Sequence, residues 1–176
     1  KGNVYSVSLR KIRFHGDMLW RIVRYGMPSG VQNSVIGLAN VIVQSQINSF
    51  AKYAMAAYGS QSKIEGFAFM PITSFSMAIT TFISQNLGAQ NYERAKKGAR
   101  FGIISAVLLA ELIGVIYYIF APAFIGIFDD NPQVIAFGVQ QARTASLFYF
   151  LLAFSHSVAA VCRGAGKAFV PMLIMF

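Results

Sequence analysis

The sequence predicts an all-α membrane protein, a polytopic bundle of transmembrane helices. Three observations support this prediction: the composition, the long stretches free of charge and the distribution of basic residues. Of the 176 residues, 56% are hydrophobic and only 12% are charged, and the mean hydropathy is +0.54. Soluble domains carry about 25% charged residues, so these side chains are too few to cover a soluble monomer of this size.

Long charge-poor stretches define the predicted spans, because a helix that crosses a bilayer needs about 20 mostly apolar residues. The sequence contains four such stretches and the start of a fifth. The predicted spans cover residues 27–51, 66–90, 101–128, 133–162 and 168–176, the last of them cut short. Residues 1–25 are predicted to form a cytoplasmic connector with a short interfacial helix over 18–25. Because the chain begins with Lys1 instead of Met, we expect it to be part of a longer protein.

Local signals mark where the helices begin and bend. Pro28, just after Gly26, predicts the start of the first span, since a proline in the first turn loses no hydrogen bond. Pro71 should bend the second span. Asn91 is a predicted cap for the helix that carries the third span, and the turn residues at 129–132 predict the start of the fourth.

Small residues recur at every fourth position of the third span. They are Gly102, Ala106, Ala110 and Gly114. Small side chains at this spacing form a seam on one side of a helix and allow a neighbouring helix to approach closely. We therefore expect a structural role for this seam.

The basic residues predict the orientation. Twelve of the 15 lie before span one, between spans two and three, or after span four, so they alternate with the predicted topology. The opposite side holds only Lys52 and Lys63 in one loop and Asp129 and Asp130 in the next. By the positive-inside rule the basic loops are cytoplasmic. The sequence thus predicts a multi-pass protein of the cell membrane whose partner is the lipid bilayer, with no nucleic acid bound.

The first span is unusually polar on one face. Asn33, Gly37, Asn40 and Gln44 follow helical spacing. An amide exposed to lipid would cost several kcal/mol, so this stripe should face protein or water. Two interpretations remain open: a hydrated substrate cavity, or hydrogen bonds between helices worth about 0.6 kcal/mol each.

The second span carries Thr73, Ser76 and Thr80, and Glu65 sits at its outer edge. All four lie within an arc of about 80°. Met77 lies beside them and offers an adaptable apolar contact. A bent helix with a polar face is typical of transporter binding sites, so Thr73, Ser76, Met77 and Thr80 are candidate cavity residues. Glu65 is either a functional carboxylate or the interfacial partner of Lys63.

Glu111 and His156 are further ionisable residues within the predicted spans. Glu111 is about 15 Å into the membrane, where a carboxylate is a functional candidate by default, although a polar partner on a neighbouring helix is the alternative. His156 is more typical of a hydrogen-bond partner than of a proton relay. An intramembrane enzyme would need such groups to converge, and the spacing favours neither an enzyme nor a metal site. The single cysteine, Cys162, excludes an internal disulfide.

The order of several short motifs resembles the multidrug and toxic compound extrusion (MATE) family, and the resemblance extends from about Trp20 to the end of the chain. The motifs are Gly-Met-Pro-Ser-Gly at 26–30, the amide-rich 33–48, the run 59–89 ending in Gln-Asn-Leu-Gly-Ala, Glu-Arg-Ala at 93–95, Asp-Asn-Pro at 130–132, and Arg-Gly-Ala-Gly at 163–166 before Pro171.

This resemblance implies a fold and an activity. Members of the family have twelve helices in two six-helix lobes around a central cavity. They export cationic or amphipathic drugs by alternating access, in exchange for inward Na⁺ or H⁺. Residues 26–176 would then form the first part of the C-terminal lobe, with the N-terminal lobe as partner and no cofactor besides the coupling ion. A related lipid-linked oligosaccharide flippase is the alternative, for which Arg143 alone would supply the basic cavity face.

The sequence also departs from the family's pattern. Some Na⁺-coupled members carry acids on helices seven and ten, where this chain has Ile36 and either Leu152 or Ala153. Glu65 is the best match for the acid that other members place on helix eight. The resemblance therefore leaves Glu65 and Glu111 as candidate coupling or substrate carboxylates and does not choose between Na⁺ and H⁺.

Overall fold

The computed structural model describes residues 13–50 and 52–175. Within them the chain forms six α-helices and no strand, so the predicted all-α class is confirmed. The helices are α1 Gly16–Ile47, α2 Lys52–Gly88, α3 Tyr92–Gly126, α4 Pro132–Ser146, α5 Tyr149–Gly164 and α6 Phe169–Met175.

Helices α2 to α5 form the packed bundle, and the seam of small residues lies at its centre. All four seam residues are buried. A Cβ atom on Gly114 would lie 2.8 Å from the carbonyl oxygen of Ser146, and one on Gly102 would lie 2.8 Å from Cγ1 of Ile79. Both distances are far shorter than normal contacts, so only glycine allows these helices to approach so closely. The predicted structural role of the seam is confirmed.

The seam continues toward the far end of α3 with Tyr117, Ala121 and Ile125, which are all buried. Tyr117 and Ala121 join Ile72 of α2 and residues of α4 and α5 in one hydrophobic cluster. A second cluster, built around Ile79 and Ala160, holds the other end of the bundle together. The core is therefore a column of small and apolar side chains shared by α2, α3, α4 and α5.

The predicted fourth span consists of two helices instead of one. The chain leaves α4 after Ser146 and enters α5 at Tyr149, and the two helix axes differ by 50°. Phe148, between them, has φ −111° and ψ 7°, outside the helical region. The start of α4 follows the prediction, because the side chain of Asn131 accepts a hydrogen bond from the N–H of Gln133 and Pro132 occupies the first helical position.

Helix α1 differs from the prediction at its start. It begins at Gly16 and runs through Gly26 and Pro28, so the amphipathic segment 18–25 is the first part of α1 and not a separate interfacial helix. The helix continues because Pro28 removes only one intrahelical hydrogen bond while the residues on both sides retain theirs. Pro28 is the one buried residue of α1. The helix packs on α6 and only touches α2, so it lies apart from the bundle.

Length and composition qualify α2 and α3 as membrane-spanning helices. Helices α4 and α5 pass the same test only together, as one bent span or a re-entrant loop. Helix α1 has 32 residues, but its amides lower its hydropathy, so the full span at 27–51 stays a prediction. Helix α2 starts at Lys52, well before the predicted residue 66, and continues through Pro71. The hydroxyls of Thr73 and Ser74 donate to backbone carbonyls just before Pro71.

The basic segments in the described part of the chain share one end of the molecule. The start of α3 adjoins the end of α2, where Gly164 of α5 packs against the carbonyl of Thr80. The ring of Tyr25 in α1 lies beside Gly166. At the opposite end the ammonium of Lys63 sits 5.3 Å from the ring centre of Phe128. Residues 1–12, with Lys1, Arg10 and Lys11, lie outside the described residues.

Candidate functional site

Glu65 is the end of a hydrogen-bonded chain that crosses from α2 to α3. One carboxylate oxygen of Glu65 accepts a hydrogen bond from Nε2 of Gln61, one helical turn earlier, at 3.2 Å. The Oε1 atom of Gln61 in turn accepts a hydrogen bond from the hydroxyl of Tyr117 on α3 at 2.7 Å. Gln61 is completely buried, whereas Glu65 is half-buried. Lys63 contacts Phe128, so the expected alternative, an ion pair between Glu65 and Lys63, is not present.

Aromatic rings surround this chain of polar groups. The rings of Tyr117 and Tyr149 stack with their centres 6.2 Å apart, and Phe69 packs against Tyr149 at 5.7 Å. Both tyrosines are almost fully buried. The hydroxyl of Tyr149 has no hydrogen-bond partner in the described part of the chain. The same is true of the hydroxyl of Ser157, eight residues later in α5. The surroundings of Gln61 are therefore rigid and mostly apolar.

The candidate cavity residues of α2 divide between two environments. Thr73 and Met77 are exposed, and 72% of the Met77 side chain is accessible. Ser76 is buried in the bundle and its hydroxyl lacks a partner among the described residues. Thr80 is half-buried and donates to the carbonyls of Ser76 and Ala160, the latter on α5. Only the edge of the arc near Thr73 and Met77 is thus open.

The amide stripe of α1 is exposed along its whole length. Asn33, Asn40 and Gln44 are all exposed, and Gln44 donates a hydrogen bond to the side chain of Asn48 one turn later. The structure does not bring these residues together with the polar face of α2. Whether they line a cavity stays a prediction.

The other two ionisable candidates lie apart. Glu111 is exposed on α3, on the same side as Leu108 and Leu112, and His156 is half-buried in α5. Arg143, in the last turn of α4, lies 5.3 Å from the ring centre of Tyr118. In the residues that the structure describes, no three His, Cys, Asp or Glu side chains cluster as metal ligands.

Two surface cavities flank the bundle, and neither is lined by a predicted site residue. The first, of about 480 Å³, lies between the start of α2 and α4. The second, of about 440 Å³, is an apolar groove between α2 and α3 with Tyr117 in its wall. Tyr117 therefore connects the hydrogen-bonded residues Glu65 and Gln61 to this apolar groove, whereas Glu65 and Gln61 do not line it.

The family assignment follows from comparison with known sequences. A profile of the MatE family matches residues 28–176, which is most of the chain. The chain belongs to the MatE family. The probable multidrug resistance protein NorM of Thermotoga maritima is 29% identical over 160 residues, which is 88% of this chain and 33% of that protein. The chain thus spans about a third of the length of this relative.

Solved structures agree with the MatE fold. A transporter of the MOP superfamily from Pyrococcus furiosus superposes with a TM-score of 0.83 at 20% identity, covering 88% of this chain and 34% of the other. A MATE structure in a bent conformation gives a TM-score of 0.81 at 21% identity, covering 96% and 37%. The described helices therefore form part of a multi-pass membrane transporter fold.

Within this MatE fold, Gln61, Tyr117 and Tyr149 belong to the surroundings of Glu65, and none of the three was predicted from the sequence. Gln61 was detectable, since it precedes Glu65 by four residues and so lies on the same face of a helix. Tyr117 continues the spacing of the seam, three residues after Gly114. Tyr149 had no sequence signal, because only the packing of α5 against α2 and α3 places it beside Tyr117.

Proposed function

We propose that this chain is the first part of the C-terminal lobe of a secondary active multidrug exporter in the cell membrane. The exporter removes cationic or amphipathic small molecules by alternating access, in exchange for Na⁺ or H⁺, and its basic loops face the cytoplasm. Membership of the MatE family supports transport, and a relative named as a multidrug resistance protein supports drugs as the substrates. The missing N-terminal lobe would complete the cavity.

The observation that carries a coupled mechanism is the setting of Glu65. Its carboxylate lies in a membrane-spanning helix, half-buried, and a neutral amide holds it instead of a cation. A carboxylate in such a place is costly to keep charged, and it therefore gains stability by binding a proton or a cation. Exchange at Glu65 would let the inward movement of an ion drive the outward movement of the drug.

Replacing Glu65 tests this role. In cells that express the full-length transporter, Glu65→Gln should lower drug efflux to that of cells without it, because glutamine keeps the shape but cannot exchange a proton. Glu93→Gln, at the exposed start of α3, is the matched control and should transport normally. Western blots should show equal amounts of both variants in the membrane.

The second carboxylate gives the comparison that could reverse the assignment. Glu111→Gln should keep most of the efflux, because Glu111 is exposed on the outer side of α3. Normal efflux by Glu65→Gln together with lost efflux by Glu111→Gln would transfer the coupling role to Glu111. Loss in both variants would mean that the two carboxylates act together.

Reconstituted vesicles identify the ion and the substrate class. Drug transport would be measured in proteoliposomes under a pH gradient alone and under a Na⁺ gradient alone. Transport driven by either gradient supports antiport, and the effective gradient identifies the ion. If neither drives drug transport while a lipid-linked oligosaccharide crosses the bilayer, the flippase alternative replaces the proposed function.

A further inference from the structure

We propose that Gln61 and Tyr117 are positioning residues that set the pH at which Glu65 takes up a proton. This inference rests on the proposed function in one respect: it matters for transport only if Glu65 is the coupling carboxylate. Two hydrogen bonds carry it: the one within α2 from Gln61 to Glu65, and the one from Tyr117 on α3 to Gln61. Gln61 bonds directly to Glu65, and Tyr117 bonds to Gln61, so both would act through Glu65.

When Glu65 is charged, the hydrogen bonds among Glu65, Gln61 and Tyr117 can run in only one direction. An ionised carboxylate can only accept hydrogen bonds, so Gln61 must turn its Nε2 toward Glu65. The amide oxygen of Gln61 then faces α3, where the hydroxyl of Tyr117 donates to it at 2.7 Å. Tyr117 thus keeps the amide of Gln61 in the orientation that stabilises the ionised form of Glu65.

The order reverses when Glu65 carries a proton. A protonated carboxyl can donate its O–H to the amide oxygen of Gln61 once that amide has rotated by half a turn. The Nε2 of Gln61 would then donate to the phenol oxygen of Tyr117, and the buried O–H of Tyr117 would lose the amide oxygen that accepts it when Glu65 is ionised. Because Gln61 is completely buried, no water competes for its two ends. The protonation state of Glu65 is therefore linked to the hydroxyl orientation of a residue on another helix.

Of the charged and titratable groups around Glu65, Tyr117 is the one placed to control the orientation of the Gln61 amide. Tyr117 faces Glu65 from α3 and Tyr149 faces it from α5. On α2 itself Lys63 is directed onto the ring of Phe128, and on α4 Arg143 is directed onto the ring of Tyr118. Among these groups, Tyr117 is the one joined to Glu65 through hydrogen bonds.

Tyr149 supplies a matched control. It is as buried as Tyr117 and stacks on the ring of Tyr117. Its hydroxyl, however, has no hydrogen-bond partner among the described residues. Tyr117→Phe removes a hydroxyl that donates to Gln61, whereas Tyr149→Phe removes one that bonds to no group among the described residues. Both substitutions keep the aromatic ring, so both variants should keep the stacking.

The test is an infrared pH titration of the purified full-length transporter in lipid nanodiscs. The carboxyl band of protonated Glu65 is assigned by its loss in Glu65→Gln, and its midpoint is read as a function of pH. A buried donor that is left without an acceptor is costly, so the Tyr117 hydroxyl disfavours the arrangement with protonated Glu65. We therefore expect Tyr117→Phe to move the midpoint upward by about one pH unit, and Tyr149→Phe to leave it in place.

A second variant covers the case in which Tyr117→Phe does not fold. Gln61→Leu removes the donor to Glu65 directly and should move the midpoint in the same direction by at least as much. A midpoint unchanged in both Tyr117→Phe and Gln61→Leu, or shifted equally by Tyr149→Phe, would overturn the proposal. Because the titration needs no transport, it stays informative even if efflux by Glu65→Gln shows that Glu65 is not the coupling residue.

Discussion

Helices α1 and α3 carry similar stripes in the sequence but have opposite surroundings in the structure. On α3 the stripe consists of small residues and is buried against neighbouring helices. On α1 the stripe consists of Asn33, Gly37, Asn40 and Gln44, and all of them are exposed. The same helical spacing therefore has a definite partner in one case and none within the described residues in the other.

The difference lies in what each residue type requires. A small side chain gains stability only when a second helix comes close enough to contact it, so the stripe on α3 specifies a partner at short distance. An amide excludes lipid as its environment, but protein or water satisfies it equally. The stripe on α1 therefore excludes lipid as its surroundings but does not determine whether protein or water contacts it.

The largest effect on stability should come from adding a methyl group to the buried stripe of α3, with the same change in the exposed stripe of α1 as the control. Gly114→Ala should destabilise the full-length transporter by about 1–3 kcal/mol, because the new Cβ would lie 2.8 Å from the backbone oxygen of Ser146. Gly37→Ala is the matched control. In the described part of the chain, nothing beyond the adjacent backbone of α1 lies within 4 Å of its Cβ position, and alanine favours a helix by up to about 1 kcal/mol.

Thermal unfolding of the purified transporter, followed by circular dichroism, measures both variants of this pair. We expect a lower midpoint for Gly114→Ala and an equal or higher one for Gly37→Ala. A clear loss of stability in Gly37→Ala would show that α1 packs closely against another part of the full-length protein, and it would remove the contrast between the stripes.

A smaller effect should come from the helix ends of the bundle. Asn131→Ala should cost about 1 kcal/mol, because its side chain accepts a hydrogen bond from the N–H of Gln133. Asn91 occupies the same position before α3 but its side chain forms no capping hydrogen bond. Asn91→Ala should therefore change the unfolding midpoint less, and equal losses in the two variants would contradict this account of the caps.

The smallest effect on stability should come from the amide stripe. Asn40→Leu should change the free energy of unfolding by no more than about 0.5 kcal/mol, because Asn40 is exposed. If the stripe lines the substrate cavity, the same variant should lower drug efflux. Val41→Leu, at an exposed apolar position next to it, is the control for both measurements. Unchanged efflux in Asn40→Leu would exclude Asn40 from the cavity.

Local signals predicted the features that depend on neighbouring residues. The seam of α3 and the capped start of α4 were both confirmed, since each depends on side chains within a few residues of one another. The uninterrupted course of α1 through Pro28 was not predicted, because proline is equally compatible with a helix start and with an interruption that the flanking turns tolerate. The bend between α4 and α5 has neither Pro nor Gly at its position, so it had no local signal.

The candidate site was predicted in part for the same reason. Glu65 was recognisable as a carboxylate in an apolar stretch, but its link to Tyr117 runs through Gln61. The hydrogen bond from Tyr117 to Gln61 joins residues 56 positions apart. That contact depends on how far α2 and α3 approach each other and on their relative rotation. The cavity assignments of Thr73, Ser76, Met77 and Thr80 stay predictions, and the packing divides these residues between open and buried surroundings.

The sequence by itself determined that the chain is a helical membrane protein with a close-packed seam and an alternation of basic segments. Those properties follow from side-chain chemistry and from helical spacing, which act over a few residues. Only the tertiary structure decided that α1 lies apart from the bundle, that α4 and α5 meet at 50° and that Gln61 connects Glu65 to Tyr117. These properties depend on which helix faces compete for burial against one another, and no single segment contains that information.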